Sequence, residues 1–400
     1  MLISIFGNTN NVSCAIAHGL KNLGVNVRLV INRKEKLHRP ESRYSEYSQR
    51  YPSWIYDYSD ITEENFLTGD FRIGDVINTL SHQADGIIFN GIGPSLAQFC
   101  TAPYLSCLTG SDISYYANPD SFENNRSIFE ANYQKSAGFA YSDWLWRQFV
   151  VRQRAGIANS KCVHAVLPGL VPEIDKILSE TGITNEKRMG HYLSHATCFE
   201  RTSTSKRKTG KLRILNGARL NWSAPLPPGF NSMDIKGTEI LIDGFSDFVR
   251  AGYDAELVLI KKGLHIQQTQ EKIKALNLDK HIIWLDELAM VDFYREIERA
   301  DIVCEHFGPT SPGLVAMDAM AMGKPVVAHF NKAVLSGLYS DIDFLTDARS
   351  ARDISSQFAK LADSEVYRLE LADQSARFVK ENCSAEAIAK LYLQKLNLKV

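Results

Sequence analysis

The chain has 400 residues, 45 lysines and arginines against 46 aspartates and glutamates, and seven cysteines scattered without CxxC or histidine-paired spacing. Its length predicts two domains, each able to bury a core, and its net charge of −1 provides no global field for nucleic acid or an anionic membrane. The cysteine pattern argues against a disulfide framework or a zinc site, and the opening MLISIFGNTNN has neither a basic n-region nor a run of about 18 apolar residues, so a cytoplasmic protein with reduced, buried thiols is expected.

Taken in chain order, short β-rich runs alternate with longer helical patterns, as in βαβ units around a parallel sheet. Residues 2–6 (LISIF) predict a strand. After GNTNN, the positions Val12, Ile16, Leu20 and Leu23 fall on one helical face, Gly24 stops the helix, and residues 25–30 (VNVRLV) predict the next strand of a Rossmann-type unit. Further strands are predicted at 85–90, 104–108 and 162–167. Near residue 200 the pattern breaks into ERTSTSKRKTGK, whose cations Arg201, Lys206, Arg207, Lys208 and Lys211 read as a solvated linker. A second series predicts strands at 212–217, 255–260, 281–285, 301–305 and 325–329. The expected organisation is two similar α/β halves joined by a linker.

In an open parallel sheet, ligands bind beyond the carboxyl ends of the strands, where loops lead into helix N-termini. Three such places carry suitable residues. Gly7 and Asn8 follow the first strand, and a glycine there lets a ligand approach the backbone, although GNTNN is not the GxGxxG of a dinucleotide site. Arg219 follows the strand at 212–217, and Lys236-Gly237 precedes an amphipathic helix with Ile240, Leu241 and Phe245. A forked cation and a point cation at the mouth of a sheet suit a diphosphate. The third place is ADIVCEHFGPTSPGLVAMDAMAMGKPVVAH, residues 300–329. Pro312 suits a first helical turn, so backbone N–H groups near Gly313, Leu314 and Val315 can face an anion, and Asp318 lies one to two turns further in. Glu305 and His306 end the preceding strand, where a polar pair is costly if buried and useful if it lines a site. Both readings of that pair, site-lining and mutually satisfied, stay open.

GLVAMDAMAMGKPVVA resembles the GLxxxEAMAxGxPVVA segment of retaining glycosyltransferases of the GT-B fold, in the large family 4. LNGARL, KGTEILIDGFSDFVRAGYDAELVLI, IIWLDEL, FYREIERADIV and ARFVKENCSAEAIAKLYLQKL follow in the family's order, so the resemblance is close to continuous from 212 to 396. The first half agrees less specifically, through FGNTNNVSCAIAHGLKNLGVNVRLV and PYLSCLTGSDI, which is similar to the family's HGSD turn. The resemblance implies an α/β protein of GT-B fold, with two Rossmann-like domains facing across a cleft. It implies an acceptor domain at 1–205, a nucleotide-sugar domain at 206–383, and a C-terminal helix at about 384–400 packing back on the first domain.

The same resemblance implies transfer, with retention, from a nucleotide-diphospho-sugar to a glycan or lipid-linked acceptor in bacterial surface-polysaccharide or cell-envelope glycan synthesis. No cofactor, metal or nucleic acid is expected, and membrane association is at most peripheral. Arg219 and Lys236 would hold the diphosphate, although NWSAPLPPGFNSMD lengthens the family's spacing between them. Asp318 would hold the ribose. Glu305, His306, Thr310, Ser311, Gly313, Leu314 and Val315 would surround the sugar and phosphates, with Leu285 and Glu287 near the base. Gly7, Asn8, Thr109 and Asp112 would lie on the acceptor side. Thr310 stands where the family has its first acid, and Thr109 where HGSD has its histidine. Asp341-Ile-Asp343 spells a DxD, read here as a turn in a late loop. The alternatives are a GT-B epimerase or phosphorylase, a non-catalytic relative that binds a glycan or a partner enzyme, and an NAD enzyme, which lacks its glycine fingerprint.

Overall fold

The structure, a computed structural model, describes residues 1–35, 38–124, 138–196, 210–223, 226–227 and 230–399. The chain divides into two compact units, Met1–His191 with Ala385–Val400, and Tyr192–Ser384. The linker cations Arg201, Lys206, Arg207 and Lys208, and the expected boundary at 205/206, lie outside the described residues. Lys211 is described and pairs with Asp254 at 3.2 Å.

The first unit is built on seven parallel strands: β1 (Leu2–Phe6), β2 (Asn26–Ile31), β3 (Ile55–Asp57), β4 (Gly86–Phe89), β5 (Tyr104–Cys107), β6 (Val163–His164) and β7 (Arg188–Met189). Their order is β3-β2-β1-β4-β5-β6-β7. Both faces of the central strands are covered, so Ile3, Ile5, Ile87 and Ile88 are fully buried and the strands read as apolar runs rather than alternating ones. Strands β3 and β7 went unanticipated because they are two- or three-residue edge strands with polar members such as Asp57 and Arg188, too short to carry a period.

The helix Val12–Asn22 buries Val12, Ile16 and Leu20 as predicted, but Cys14, Ala15 and Ala17 are buried too. The cause is the C-terminal helix Ala385–Lys395, which covers the face opposite the sheet and belongs to this unit. Gly19 makes the approach possible: a Cβ there would lie 2.3 Å from the Ala385 carbonyl oxygen. Asn22 donates to Glu386 at 2.7 Å, and the buried Tyr392 hydroxyl meets His164 Nδ1 at 2.5 Å. Burial pushes the His164 imidazole down to about 4, so it is neutral at physiological pH.

The second unit contains all five predicted strands: β8 (Leu212–Asn216), β9 (Ala255–Ile260), β10 (Ile282–Leu285), β11 (Ile302–Cys304) and β12 (Val326–Val327), parallel in the order β10-β9-β8-β11-β12. Leu241, Phe245 and Phe248 from the helix Thr238–Arg250 share a core with Ile354 and Phe358 from the helix Ala351–Asp363. The two helices close on Gly244, where a Cβ would lie 2.7 Å from Ile354 Cβ. Among the described residues no helix is long and apolar enough to cross a membrane.

Each sheet reverses its strand order once, at β1/β4 in the first unit and at β8/β11 in the second. Connections leave such a pair toward opposite faces, which opens a crevice at the carboxyl ends.

Gly19→Ala forces the first and last helices apart, because the obstacle is backbone and cannot swing aside. It should destabilise the protein by about 1–3 kcal/mol, read as a lower urea midpoint. An unchanged midpoint would mean that the C-terminal helix does not pack here.

Candidate functional site

At the reversal of the second unit, β8 ends at Asn216 and β11 at Cys304, its register partner. The chain after β8 turns at Gly217, whose Cβ would lie 2.3 Å from Val315 Cγ1, so this turn is seated against the start of the helix Leu314–Ala321. Arg219 follows, exposed, with no ion-pair partner for its guanidinium among the described residues. Its carbonyl is held by the Asn221 N–H at 2.8 Å and approached by the Thr238 hydroxyl at 3.3 Å.

The long insertion between Arg219 and Lys236 is fastened by Asn221, a residue that sequence reasoning passed over. Its side chain is 1% exposed, donates to the Asp234 carbonyl at 2.9 Å and accepts from Leu264 N at 2.9 Å. Its carbonyl accepts from Lys236 N at 3.1 Å. The Lys236-Gly237 turn is pressed on the end of β11: Phe307 N donates to the Lys236 carbonyl at 2.9 Å, and a Cβ on Gly237 (φ +66°) would lie 2.8 Å from the Phe307 carbonyl carbon. The Lys236-Gly237 turn therefore lies beyond the end of β11, the neighbour of the strand that leads to Arg219, despite the insertion. Its Nζ donates to the Met233 carbonyl at 2.6 Å. Burial pulls its pKa down, opposed by Glu305 and Asp234 and reinforced by the charge of Arg219.

Glu305 and His306 are not bonded to each other; each fastens backbone. Glu305 accepts from Gly313 N at 2.7 Å, holding the residue before the helix Leu314–Ala321. Burial pushes its carboxyl up, against the pull of Lys236 and the Gly313 N–H. His306 faces the Ile235 carbonyl at 2.6 Å and the Ser311 carbonyl at 3.1 Å, and burial drives its ring down to about 3. Thr310 is 4% exposed with its hydroxyl on His306 Nε2 at 3.2 Å, so neither side chain is presented to a sugar as expected. Gly313 N is likewise occupied. The helix itself has no side-chain cap, leaving its first turn at Leu314 and Val315 as the open anion-facing end. Leu285 closes β10, and Glu287, just beyond it, is exposed and paired with Lys262.

Asp318 departs most from expectation. It is 1% exposed, and both oxygens are taken: Oδ1 accepts from Ser194 Oγ (2.9 Å), His195 N (2.7 Å) and Ala196 N (3.2 Å), and Oδ2 from Tyr294 OH (2.6 Å). A carboxylate so enclosed pins the segment 194–196 to its helix and has no face left for a ribose diol. Asp341 sits in a turn at φ +54°, and the described residues contain no group of three or more metal-ligating side chains.

At the reversal of the first unit lies a cavity of about 380 Å³, lined among others by Gly7, Asn8, Thr9, Asn90 and Ser111. Gly7 (φ +79°) sits where a Cβ would lie 2.6 Å from the Asn90 carbonyl oxygen. Asn8 borders the cavity but spends its side chain internally, accepting from Cys14 N and donating to Asn11 and the His38 carbonyl. Thr109 and Asp112 are not among the cavity's lining residues. Asp112 is fully buried and accepts from Thr109 N and Gly110 N at 2.8 Å and from Asn90 Nδ2 at 3.2 Å. Asn90 in turn accepts from Thr9 N at 2.7 Å. Asp112 thus positions the cavity floor through Asn90 and is not itself a ligand contact. Burial pushes its carboxyl up to about 6, with the Thr109 and Gly110 N–H groups opposing.

Searched against solved structures, the chain matches HepE of Anabaena in complex with UDP and glucose (14% identity, 99% of each chain, TM-score 0.61) and sucrose-phosphate synthase of Thermosynechococcus elongatus (13%, 98% of each, 0.60). It also matches UDP-GlcNAc 2-epimerase of Neisseria meningitidis bound to UDP-GlcNAc (12%, 99% of each, 0.53). The chain has the GT-B fold. Residues 233–391 match the family model described as glycosyl transferases group 1, a stretch that includes Lys236, Glu305 and the helix Leu314–Ala321 of this GT-B chain. No curated protein matches the sequence. At such identities the structural likeness concerns fold, and one GT-B neighbour is an epimerase, so function has to be argued from the site.

Two outcomes test these placements. Asp318→Asn should cost about 1–3 kcal/mol of stability, because the amide puts a donor where backbone N–H groups and Tyr294 need an acceptor. Loss of nucleotide affinity at unchanged stability would overturn the clamp. Asp112 should titrate near 6 by carboxyl-carbon NMR rather than at its ordinary 3.8. In that window the folded state holds a proton that the unfolded chain has released. The residue's stability contribution is therefore complete below about 3.8 and is lost as pH rises through about 6.

Proposed function

We propose that the chain is a glycosyltransferase that moves a sugar, with retention, from a nucleoside-diphospho-sugar to a glycan or lipid-linked acceptor. The observation that carries this reading is the convergence of Arg219, Lys236 and the open first turn at Leu314 on the strand reversal of the second unit, within or beside the stretch that matches the glycosyltransferase family. A diphosphate gains negative charge as the glycosidic bond breaks. Cations and N–H dipoles already in place stabilise that charge without reorganising, each worth a few kcal/mol in related systems. Arg219, exposed and with no ion-pair partner among the described residues, takes the outer phosphate, and Lys236 with the helix start takes the inner one. Glu305 acts as a positioning residue that fixes the helix start and balances the charge of Lys236.

The acceptor is assigned to the first unit, at the cavity beside Gly7. No metal or cofactor is assigned a role, since two cations and a helix start supply the positive charge that a leaving diphosphate needs. HepE binds UDP and glucose, which makes uridine diphosphate the first nucleotide to try. A cytoplasmic place in bacterial surface-polysaccharide or cell-envelope glycan assembly, peripheral at most to the membrane, rests on the sequence resemblance.

The test is a thermal-shift panel of nucleoside diphosphates and their sugars on the full chain, followed by mass spectrometry of products. A matching donor at about 100 times its Kd adds about 2.7 kcal/mol. Arg219→Ala and Lys236→Ala should each lower turnover by roughly two to three orders of magnitude, with circular dichroism unchanged. Conversion of a UDP-sugar to its epimer would favour the epimerase reading, and a panel with no shift at all would remove the donor site.

A further inference from the structure

Asn221 is bonded to the backbone of both cations of the second unit. Its N–H donates to the Arg219 carbonyl at 2.8 Å, closing a tight turn, and its own carbonyl accepts from Lys236 N at 3.1 Å. The buried side chain then reaches two further loops: Nδ2 donates to the Asp234 carbonyl at 2.9 Å, and Oδ1 accepts from Leu264 N at 2.9 Å.

The Asp234 carbonyl is the middle one of a row in which each carbonyl faces a side-chain nitrogen. The Met233 carbonyl accepts from Lys236 Nζ at 2.6 Å, that of Asp234 from Asn221, and that of Ile235 lies 2.6 Å from His306 Nε2. The turn that carries the row, Ser232–Asp234, is closed by a reciprocal pair: Asn231 Oδ1 accepts from Met233 N at 2.9 Å, and Asp234 Oδ2 accepts from Asn231 N at 3.1 Å. The insertion after Arg219 thus ends in a braced strip whose first carbonyl holds the Lys236 ammonium. That bond uses one of the ammonium hydrogens and leaves the others for a ligand.

We propose that Asn221 is a positioning residue for the diphosphate. By fixing the Asp234 carbonyl it seats the Met233 carbonyl that aims Lys236, and by its backbone bonds it sets where Lys236 stands relative to Arg219. The insertion is then the support of the lysine rather than a spacer. This inference rests on the reading of Lys236 as a phosphate cation. A lysine ammonium rides on a flexible stem, and ordering that stem normally opposes binding. Held beforehand on Met233, the ammonium meets the leaving diphosphate without that cost, which is the condition under which a fixed charge stabilises a transition state. The Asn221 side chain touches no phosphate in this arrangement, so its effect on the diphosphate runs through Lys236.

The test is a double-mutant cycle on the full chain. UDP, GDP and ADP are titrated by calorimetry and the matching nucleosides by saturation-transfer NMR, and the diphosphate that wild type binds most tightly is the probe. Asn221→Ala keeps the backbone bonds but releases the Asp234 carbonyl, and should weaken that diphosphate about tenfold while its nucleoside stays within about twofold. In the Lys236→Ala background the same change should weaken the diphosphate by less than about twofold, because the group it positions is gone. Asn231→Ala, which loosens the turn from a half-buried position, should weaken the diphosphate severalfold, and it decides the matter if Asn221→Ala does not fold. The proposal is overturned if the loss caused by Asn221→Ala is equal with and without Lys236, if the nucleoside suffers the same loss, or if Asn231→Ala leaves the diphosphate unaffected. Lys236→Ala alone separates the two claims. If it leaves diphosphate affinity unchanged, or if no diphosphate binds wild type, the donor-site reading fails and this inference with it. If it weakens the diphosphate while neither asparagine variant does, only this inference is removed.

Discussion

Where two neighbouring parallel strands send their connections to opposite faces of a sheet, their carboxyl ends diverge, and the backbone there must be satisfied by something other than the next strand. This chain solves that problem twice with the same device, a buried side chain that gathers backbone groups from several loops. Asn90 collects Thr9 N, the Cys107 carbonyl and Asp112 in the first unit, and Asn221 collects Asp234, Leu264 and Lys236 in the second. Glycines then let the gathered loops touch backbone to backbone, as Gly7 does on Asn90 and Gly308 on Ile235. The ligand-facing groups owe their positions to these contacts rather than to one another.

The buried acids of both units likewise hold the fold rather than face a ligand. Asp112, Glu305 and Asp318 are all buried, and each accepts from backbone N–H groups at a turn or helix start. For Asp112 and Glu305 burial favours the neutral form, and the backbone donors oppose it. An acid in an apolar segment is therefore as good a sign of a backbone clamp as of a catalytic group, and the two are told apart by counting the donors already aimed at it.

This bears on how much of the molecule was legible beforehand. All five strands of the second unit, the turn at Gly24 and the switch-point loops followed from periodicity and glycine placement, which are local properties of the chain. The places of Arg219 beyond β8 and of Lys236 before the helix Thr238–Arg250 were legible because strand ends and helix starts are local signals. The occupants of Asp318 were not, since Ser194 and Tyr294 come from far along the chain and nothing local marks them as donors. The surroundings of Thr310 and His306 were not legible for a related reason: the Ile235 turn that packs over His306 comes from far along the chain. The aromatic cluster of Phe6, Tyr58 and Phe66 is assembled from three separate segments, so no short sequence window contains it.

The C-terminal helix has a further consequence, which concerns synthesis rather than catalysis. It packs on the helix Val12–Asn22, so segments 364 residues apart in the chain, as at Asn22 and Glu386, are neighbours in the folded unit. Until Ala385–Lys395 leaves the ribosome, Cys14, Ala17 and Gly19 present a small-residue apolar face with nothing on it. The second unit, encoded between, can complete its own core first, which inverts the usual N-to-C order in which domains fold. The nascent first unit therefore waits with its sheet made and one helix layer missing for the whole translation of residues 192–384, the interval in which a chaperone has a surface to bind and a premature stop codon leaves a product with the helix Val12–Asn22 uncovered.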